Sequence, residues 1–242
     1  MSASGGRPPE WSGPRVGVVV PAAGLGRRMG ERRKPWLLLL GEPILLHSLR
    51  PFLDRPDVTS VAVALAPEDA ASPPRWLAGL DPRVRLVAGG ETRTESVRSA
   101  LAALPDDVRV VVVHDAARPL LSSSVLSRCI ELAATGTGAV AGHAAVDTLK
   151  EVDPAGRVVD TPDRGRFWHA QTPQAFPSDL LRAAYAAAVV GEPATDDAAL
   201  VERIGGPVVM VESPPWNLKV TRPEDLPVAE LLLASDPGEG RR

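Results

Sequence analysis

The stretch RVGVVVPAAGLGRRMGERRK, residues 15–34, places a run of valines directly before a loop of alanine and glycine that ends in arginines and a lysine. An unbroken Val-rich run, unlike an alternating one, is typical of a parallel strand that helices cover on both faces. Small residues in the loop let a backbone approach a ligand closely, and the cations indicate an anionic ligand. The stretch therefore predicts a buried strand that leads into an anion-binding loop.

Runs of the same kind recur along the chain and alternate with helical patterns. Further strands are predicted at residues 58–65, 83–89, 107–115, 138–146 and 208–213. Apolar residues spaced three and four apart predict helices at residues 43–54, 73–80, 94–104, 122–135, 177–190, 195–205 and 223–234, with Ser122 as one helix cap. This alternation predicts an α/β fold of the Rossmann-like, doubly wound type with a mostly parallel sheet.

Residues 147–174 interrupt the alternation with two short β-prone pieces around the turn-forming sequence DPAGR. They predict a β-hairpin arm that projects from the sheet, and the segment is too short to form a separate domain. We expect a single domain over residues 15–235, with disordered tails at residues 1–14 and 236–242 because both are rich in Gly, Pro and charge.

The composition excludes several classes of function. The net charge of −3 at pH 7 argues against a generally basic nucleic-acid-binding protein. We therefore expect no nucleic-acid partner. No apolar run approaches the length that crosses a bilayer, so we expect no membrane partner either. The single cysteine, Cys129, excludes a disulfide framework and suits a reducing compartment. Because the start of the sequence also lacks a signal-peptide pattern, we expect a cytoplasmic protein.

The loop after the first predicted strand holds the first candidate binding residues. Gly24 and Gly26 would permit a tight turn that exposes backbone N–H groups to phosphate oxygens. Arg27, Arg28 and Lys34 would neutralise a polyphosphate. The alternative is a Gly-rich turn followed by a solvated basic surface. The glycine spacing matches neither GxGxxG nor a P-loop, which argues against a Rossmann dehydrogenase.

Lysine is rare in this chain, because only Lys34, Lys150 and Lys219 occur among 27 cationic residues. A lysine that stands where arginine is the usual cation suggests that a compact ammonium group is required. Lys34 and Lys219 each lie beside a suspected site, so the argument is stronger for them than for Lys150.

The motif HDAARP, residues 114–119, ends another predicted strand. An acid at the carboxyl edge of the sheet suits a magnesium ion or a substrate hydroxyl, which makes Asp115 a candidate ligand with Arg118 close by. The alternative is that Asp115 caps the following turn and pairs with Arg118. The histidines show no triad order, so His114 is expected to be structural.

The motif GGETRTESV, residues 89–97, follows the third predicted strand. Its two glycines again allow close backbone approach, and Arg93 and Ser96 lie on the first turn of a helix whose N-terminus favours an anion. The alternative is a Thr-capped helix with an exposed arginine.

Six motifs occur in a fixed order along the chain: PAAGLGRRMG (21–30), AGGETRTESV (88–97), HDAARP (114–119), DTLK (147–150), QTPQ (171–174) and NLKVTRPEDL (217–226). Together they resemble the 2-C-methyl-D-erythritol 4-phosphate cytidylyltransferases of the non-mevalonate isoprenoid pathway. The resemblance spans about residues 15–235 and implies a fold of the nucleotide-diphospho-sugar transferase type. It also implies an enzyme that joins CTP to a sugar-alcohol phosphate and releases pyrophosphate.

The resemblance implies roles for particular residues. CTP binding falls to Ala22, Ala23, Gly24, Gly26, Gly90, Glu91, Arg93 and Ser96. Charge stabilisation during transfer falls to Arg28, Lys34 and Lys219. Contacts with methylerythritol phosphate fall to Asp115, Arg118, Thr148, Arg164, Thr172 and Thr195, with Asp115 also the candidate ligand of Mg²⁺. In the family the arm reaches into the neighbouring subunit, which implies a homodimer and a contact by Arg164 in trans.

One departure from the family pattern concerns Lys34. The family usually has a proline before this lysine, whereas here Pro35 follows it, so Arg32 or Arg33 could share its role. Two other functions stay open: a cytidylyltransferase for ribitol 5-phosphate, and a non-catalytic nucleotide-binding domain of the same fold. HDAARP, without a valine, favours methylerythritol phosphate over ribitol phosphate.

Overall fold

The computed structural model describes residues 13–24, 34–189 and 194–235. The strands, in chain order, are β1 (Val16–Pro21), β2 (Leu38–Leu39), β3 (Glu42–Pro43), β4 (Val58–Leu65), β5 (Val84–Ala88), β6 (Val110–Val113), β7 (Gly138–Ala144), β8 (Glu151–Val152), β9 (Val158–Asp160), β10 (Trp168–Pro177) and β11 (Val208–Glu212). Residues 1–12 and 236–242, which hold most of the two predicted tails, lie outside the described residues.

The helices, in chain order, are α1 (Ile44–Leu53), α2 (Pro67–Ala71), α3 (Arg75–Ala78), α4 (Arg93–Ala102), α5 (Ser123–Ala134), α6 (Ser178–Ala187), α7 (Asp197–Arg203) and α8 (Asp225–Ser235). The pattern at residues 73–80 yields only the short α3, which begins after Pro74 at its N-cap and ends before Gly79 at its C-cap. The sequence does not predict α2, which begins at Pro67. Ser122 occupies the N-cap of α5, but its hydroxyl contacts Ser124 Oγ instead of a backbone N–H.

Seven strands form one sheet in the order β11–β7–β10–β6–β1–β4–β5. Strands β6, β1, β4 and β5 run parallel, β11 runs parallel to β7, and β10 is antiparallel to both of its neighbours. The predicted doubly wound, mostly parallel sheet is therefore confirmed, with one antiparallel strand inserted between two parallel groups.

Helices bury the sheet on both faces, as the unbroken valine runs predict. Val18 and Val20 of β1 pack on one face together with Leu49 of α1. Val19, between them, faces the other side, where it joins a second cluster that includes Val97 of α4. All three valines are fully buried. Since successive side chains of a strand point to opposite faces, only a strand covered on both sides requires such a run.

The predicted hairpin arm is present but shorter than expected. Strands β8 and β9 pair with each other in an isolated antiparallel sheet. They flank the DPAGR turn, where Gly156 has a φ of +79° and Asp153 Oδ1 accepts a hydrogen bond from Ala155 N–H. Residues 168–174 belong to β10, because this strand pairs with β7 and β6 of the main sheet. The hairpin proper therefore ends before Trp168.

Within residues 13–24, 34–189 and 194–235, no helix combines the length and the apolar character that crossing a bilayer would require.

Candidate active site

A cavity of about 370 Å³ lies at the carboxyl edge of the sheet, where the loops after β1, β5 and β6 meet. The structure brings ten of the residues singled out from the sequence to its walls: Ala22, Ala23, Gly24, Lys34, Gly90, Glu91, Arg93, Ser96, Asp115 and Lys219. In open α/β sheets ligands bind at this edge, so the cavity is the candidate active site.

The loop that follows β1 forms one wall of the cavity. Ala22 N–H donates a hydrogen bond to Ala64 O at 2.7 Å, which prolongs the pairing of β1 with β4. A Cβ atom added to Gly24 would meet no atom of the described residues within 4 Å. Packing against this part of the chain therefore does not require glycine at this position, and no described residue fills the space beside it.

Part of the predicted phosphate-binding loop lies outside the described residues. This part includes Gly26 and Arg28, whose contacts with a triphosphate stay a prediction, and also Arg27, Arg32 and Arg33. Lys34, the next residue that the structure describes, begins a short 3-10 turn and lines the cavity. The structure thus places Lys34 at the site even though Pro35 follows it.

The segment after β5 forms the opposite wall. Gly89 approaches the β1 loop so closely that an added Cβ would lie 2.6 Å from Ala23 Cβ, which only glycine avoids. Ser96 Oγ accepts a hydrogen bond from Gly90 N–H at 3.2 Å and donates one to Thr92 O at 2.9 Å. Ser96 therefore holds the glycine loop against the first turn of α4.

The start of α4 is a capping box, which fixes the direction of Arg93. Thr92 Oγ1 accepts from Glu95 N–H, and Glu95 Oε2 accepts from Thr92 N–H, both at 3.1 Å. The alternative of a Thr-capped helix with an exposed arginine is therefore correct about the cap and wrong about the arginine. The Arg93 side chain is only 29% exposed and contacts two carboxylates.

Asp115 lies just beyond β6 and is surrounded by three cationic side chains. Its Oδ2 lies 2.9 Å from Lys219 Nζ and 3.4 Å from Arg118 Nε, and its Oδ1 lies 3.3 Å from Arg93 Nε. Burial opposes ionisation, but the charges of Lys219, Arg93 and Arg118 outweigh it and hold the pKa of Asp115 well below its usual range. The alternative interpretation, in which Asp115 pairs with Arg118, is thus correct as far as it goes, but Asp115 also contacts Lys219 and Arg93.

A buried chain of hydrogen bonds holds Asp115 from behind. Asp115 N–H donates to Thr172 Oγ1 at 3.0 Å, and Thr172 Oγ1 donates to His114 Nδ1 at 3.1 Å. His114 Nε2–H donates in turn to Arg118 O at 3.0 Å. Burial lowers the pKa of His114 to about 4, so the ring is neutral at physiological pH. His114 is therefore structural, as expected, and Thr172 supports Asp115 instead of lining the cavity.

Lys219 is positioned by the segment that precedes α8. Asn217 is buried, and its Nδ2 donates a hydrogen bond to Thr172 O at 2.9 Å. Arg118 Nη1 donates to Asn217 O at 2.7 Å. The backbone beside Lys219 is thus tied to the loop that carries Asp115, while the Lys219 side chain itself is 38% exposed.

Asp197, at the start of α7, is a residue of the site that sequence reasoning missed. It is fully buried, and its Oδ2 accepts a hydrogen bond from Arg93 Nη2 at 2.7 Å. Burial opposes the charge of Arg93, but Asp197 and Asp115 outweigh it and raise the pKa of Arg93. An acid in the first turn of a helix ordinarily indicates only a favourable dipole interaction, so the sequence carried no separate signal for Asp197.

Besides Thr172, four predicted substrate-binding residues do not line the cavity of the single chain: Arg118, Thr148, Arg164 and Thr195. Arg118 lies behind Asp115, where its Nε is 3.4 Å from Asp115 Oδ2. Thr148 and Arg164 are exposed on the arm, where Arg164 donates a hydrogen bond to Val146 O, and Thr195 is exposed just before α7. The role implied for Arg164 concerns a neighbouring subunit, and the substrate contacts of these four residues and of Thr172 stay predictions.

Asp115 can supply only one of the several ligands that the predicted metal ion requires. Among the residues that the structure describes, no three His, Cys, Asp or Glu side chains lie together as a metal-binding group. Mg²⁺ in nucleotide enzymes commonly takes one or two carboxylates together with substrate phosphates. A single carboxylate at the cavity wall meets that requirement if phosphate oxygens supply the remaining ligands.

The charges of the site suit an anionic ligand. One carboxylate, Asp115, cannot neutralise three cations, and Arg93 is the one of the three for which the described chain provides a second carboxylate, that of Asp197. A phosphate that entered the cavity would therefore find positive charge already in place, with backbone groups of the β1 loop on the other side. Such an arrangement can bind phosphates and stabilise charge that develops on them.

Comparison with known proteins agrees with the fold and with the family that the sequence motifs resemble. A family model described as 2-C-methyl-D-erythritol 4-phosphate cytidylyltransferase matches residues 16–235. A protein of that name from Symbiobacterium thermophilum is 46% identical over 224 residues, which cover 91% of this chain and 94% of the relative.

Solved structures with related names superpose on most of the chain. The 2-C-methyl-D-erythritol 4-phosphate cytidylyltransferase of Thermus thermophilus has a TM-score of 0.75 and 35% identity, and the match covers 89% of this chain and 98% of that one. The 4-diphosphocytidyl-2C-methyl-D-erythritol synthase of Anaerococcus prevotii has a TM-score of 0.79 and 26% identity, with coverage of 90% and 96%. From the family match, the sequence identity and the shared fold, it follows that this chain belongs to the 2-C-methyl-D-erythritol 4-phosphate cytidylyltransferase family.

Proposed function

We propose that this protein transfers CMP from CTP to 2-C-methyl-D-erythritol 4-phosphate, which yields 4-diphosphocytidyl-2-C-methyl-D-erythritol and pyrophosphate. The observation that carries the proposal is the group of three cations on Asp115, at a cavity whose other wall includes the loop of Ala22, Ala23 and Gly24. Family membership indicates which substrates to expect. In the cavity, the β1 loop and the three cations on Asp115 would each bind phosphate from opposite sides.

The chemistry needs charge stabilisation instead of a general base. The attacking phosphate is already ionised at neutral pH, so no side chain has to remove a proton from it. The barrier arises because two polyanions must come together and because charge builds up on the α-phosphate of CTP. Cationic side chains that are fixed before the substrates arrive lower this barrier without further reorganisation.

Lys219 is the cation that we assign to the attacking phosphate. Its Nζ lies 2.9 Å from Asp115 Oδ2, and its side chain is partly exposed towards the cavity. Asp115 keeps the ammonium group in place in the free protein, and an incoming phosphate would share it. On the CTP side, Lys34 lines the cavity and Arg28 belongs to the preceding loop, so we assign both to the triphosphate.

CTP would lie between the β1 loop and the segment around Ser96. The wall is narrow because Gly89 approaches Ala23 closely, and no described residue fills the space beside Gly24. Backbone groups of Ala22, Ala23 and Gly90 would then read the edge of the base and leave too little room for a purine.

We propose Mg²⁺ as the cofactor. Asp115 and phosphate oxygens of CTP would hold it, and when bound it would neutralise charge on those phosphates. The contacts of Asp115 with Thr172 and Arg93 would keep the carboxylate in position for that role.

A homodimer formed through the arm is also part of the proposal. It is supported by apolar side chains on and beside the arm that are each at least 40% exposed in the single chain: Val146, Val152, Val158, Val159, Phe167 and Trp168. Several exposed apolar side chains within one short segment are typical of a surface that contacts another protein. Arg164 lies on the same arm and would contact a phosphate in the neighbouring site. A cytoplasmic location stays a prediction of the sequence.

The direct test measures pyrophosphate release by the purified protein with CTP, Mg²⁺ and a polyol phosphate. We expect release with 2-C-methyl-D-erythritol 4-phosphate and none with ribitol 5-phosphate. Release with ribitol 5-phosphate alone would support the ribitol enzyme. Binding of CTP in titration calorimetry without turnover of either polyol phosphate would instead support a non-catalytic nucleotide-binding domain.

A further inference from the structure

We infer that Asp197 is a positioning residue for the transfer reaction, because it holds Arg93 in place. Arg93 can then keep its contact with the Asp115 carboxylate when Lys219 turns to the phosphate. The inference rests on the proposed function. It assigns different tasks to cations that look equivalent in the sequence: Arg93 is fixed, and Lys219 can be shared with the substrate.

The contacts of Arg93 are divided between two carboxylates. Its Nη2 lies 2.7 Å from Asp197 Oδ2, whereas its Nε lies 3.3 Å from Asp115 Oδ1. The shorter contact is the buried one, because Asp197 is 0% exposed and Asp115 lies at the cavity wall. The planar guanidinium group is suited to such a bridge, since its N–H groups point in fixed and different directions.

Asp197 is itself locked into the protein interior. Its Oδ1 accepts a hydrogen bond from the hydroxyl of Tyr185, a buried residue of α6, at 2.5 Å. The preceding residue, Asp196, caps α7 and also accepts a hydrogen bond from Gln174 Nε2 of β10 at 2.9 Å. The carboxylate of Asp197 thus has a fixed position that is set by two helices and one strand of the main sheet.

Movement of Arg93 towards a substrate would therefore be unfavourable. It would take the neutralising cation away from the buried charge of Asp197, and an uncompensated buried charge strongly destabilises a fold. Lys219 is held less firmly, because its side chain is partly exposed and its ion pair with Asp115 lies at the cavity wall. When a phosphate draws Lys219 away from Asp115 Oδ2, Arg118 stays beside that oxygen and Arg93 is the cation that stays on Oδ1.

A purely structural role is the competing explanation. In that case the Arg93–Asp197–Tyr185 contacts only join α4, α6 and α7, and the loss of Asp197 would affect activity through general loosening of the fold. The two explanations differ in what the loss of Asp197 changes. A positioning role affects kcat and the KM for the polyol phosphate, whereas general loosening lowers the melting temperature and affects the KM of both substrates alike.

The test is a double-mutant cycle with Arg93→Ala, Asp197→Asn and the double variant, measured as kcat and KM for both substrates. We expect Asp197→Asn to lower kcat/KM roughly 10- to 100-fold, and the double variant to lie within about threefold of Arg93→Ala. We also expect KM for the polyol phosphate to change more than KM for CTP. Multiplication of the two single effects in the double variant would overturn the inference.

Arg93→Lys provides a second test if Asp197→Asn does not fold. The Arg93 side chain is partly exposed, so the fold should tolerate lysine, but one ammonium group cannot bridge two carboxylates in fixed directions. We expect at least a roughly tenfold lower kcat/KM. Full activity of Arg93→Lys would overturn the inference.

Asp57→Asn is the matched control for loss of a buried carboxylate. Asp57 is 3% exposed and pairs with Arg55, but it lies at the amino end of β4, a full strand away from the cavity. We expect a lower melting temperature with unchanged kcat/KM, and an equal loss of kcat/KM in Asp57→Asn and Asp197→Asn would overturn the inference. Failure of the wild-type protein to release pyrophosphate would count against the proposed function itself, so the two failures are distinguishable.

Discussion

The amino edge of the main sheet, where its parallel strands begin, and the carboxyl edge, where they end, carry the same types of charged residue in different proportions. At the amino edge, Asp57 receives two hydrogen bonds from the guanidinium group of Arg55, at 2.9 and 2.6 Å. Asp81 receives two from the guanidinium group of Arg83, both at 2.9 Å, and a third from the backbone N–H of Arg83 at 2.8 Å. At the carboxyl edge, the single carboxylate of Asp115 faces three cations. Asp57 and Asp115 are almost equally buried, at 3% and 6% exposure. The difference lies in the number of partners and not in burial.

The comparison shows how to separate a stabilising ion pair from an anion-binding site. A carboxylate matched by one bidentate arginine satisfies its own charge and leaves nothing for a ligand. A carboxylate that shares three cations leaves positive charge that an incoming phosphate can neutralise. Substitutions at the two edges should therefore differ in whether they affect turnover or stability.

Lys219→Ala should produce the largest effect, because it removes from the carboxyl edge the cation that we assign to the attacking phosphate. We expect turnover to fall roughly 100- to 1,000-fold, since a charge that stabilises the transition state is lost. The melting temperature should stay within a few degrees, because the side chain is partly exposed. Steady-state kinetics and thermal unfolding check both expectations, and normal turnover would refute the assignment.

Arg164→Ala should lower turnover by roughly 10- to 100-fold if the arm supplies a cation to the carboxyl edge of a partner. Coexpression with Lys219→Ala then sharpens the comparison. In a mixed dimer one site would keep both its own Lys219 and the intact Arg164 of the other subunit. Random pairing would restore about a quarter of the sites. If the mixture shows no more activity than the separate variants, the trans contact does not exist.

The lowered pKa of His114 predicts a pH dependence of stability that originates at the carboxyl edge. Its pKa of about 4 in the folded protein lies below the ordinary value of 6.5. As the pH falls below 6.5, the unfolded chain binds a proton that the folded chain refuses, so stability decreases until about pH 4. The free energy of unfolding should drop by up to about 3 kcal/mol over this window. Denaturant titrations of the wild type and His114→Gln test this, and the variant should show a shallower decline.

Asp57→Asn should have the smallest effect on turnover, because the amino edge plays no part in the reaction. The free energy of unfolding should decrease by roughly 1–3 kcal/mol, since a buried hydrogen-bonded carboxylate is lost beside a partly exposed arginine. Urea denaturation and kinetics on the same sample provide the measurement. A clear fall in kcat would show that the two edges are coupled.

Much of the fold follows from local patterns. The Val-rich runs at β1, β4 and β6 and the apolar spacing of α1, α4 and α5 appear where the sequence predicts them. These patterns are readable because strand and helix periods are set by neighbouring residues. The misassigned residues 168–174 show the limit, since whether a β-prone segment joins the arm or the main sheet depends on which strands lie beside it.

For the site, the sequence by itself determined which loops meet at the cavity. Ala22, Gly90, Asp115 and Lys219 lie in segments whose small residues, position after a strand or unusual residue choice single them out, and all four line one space. Only the tertiary structure decided the partners of each charge. Arg93 and Asp197 are 104 residues apart, and Thr172 and His114 are 58 apart, so no local pattern records their contact. Those contacts depend on the order of strands in the sheet and on the packing of α4 and α7, because the energy of a buried charge is set by whatever surrounds it in space.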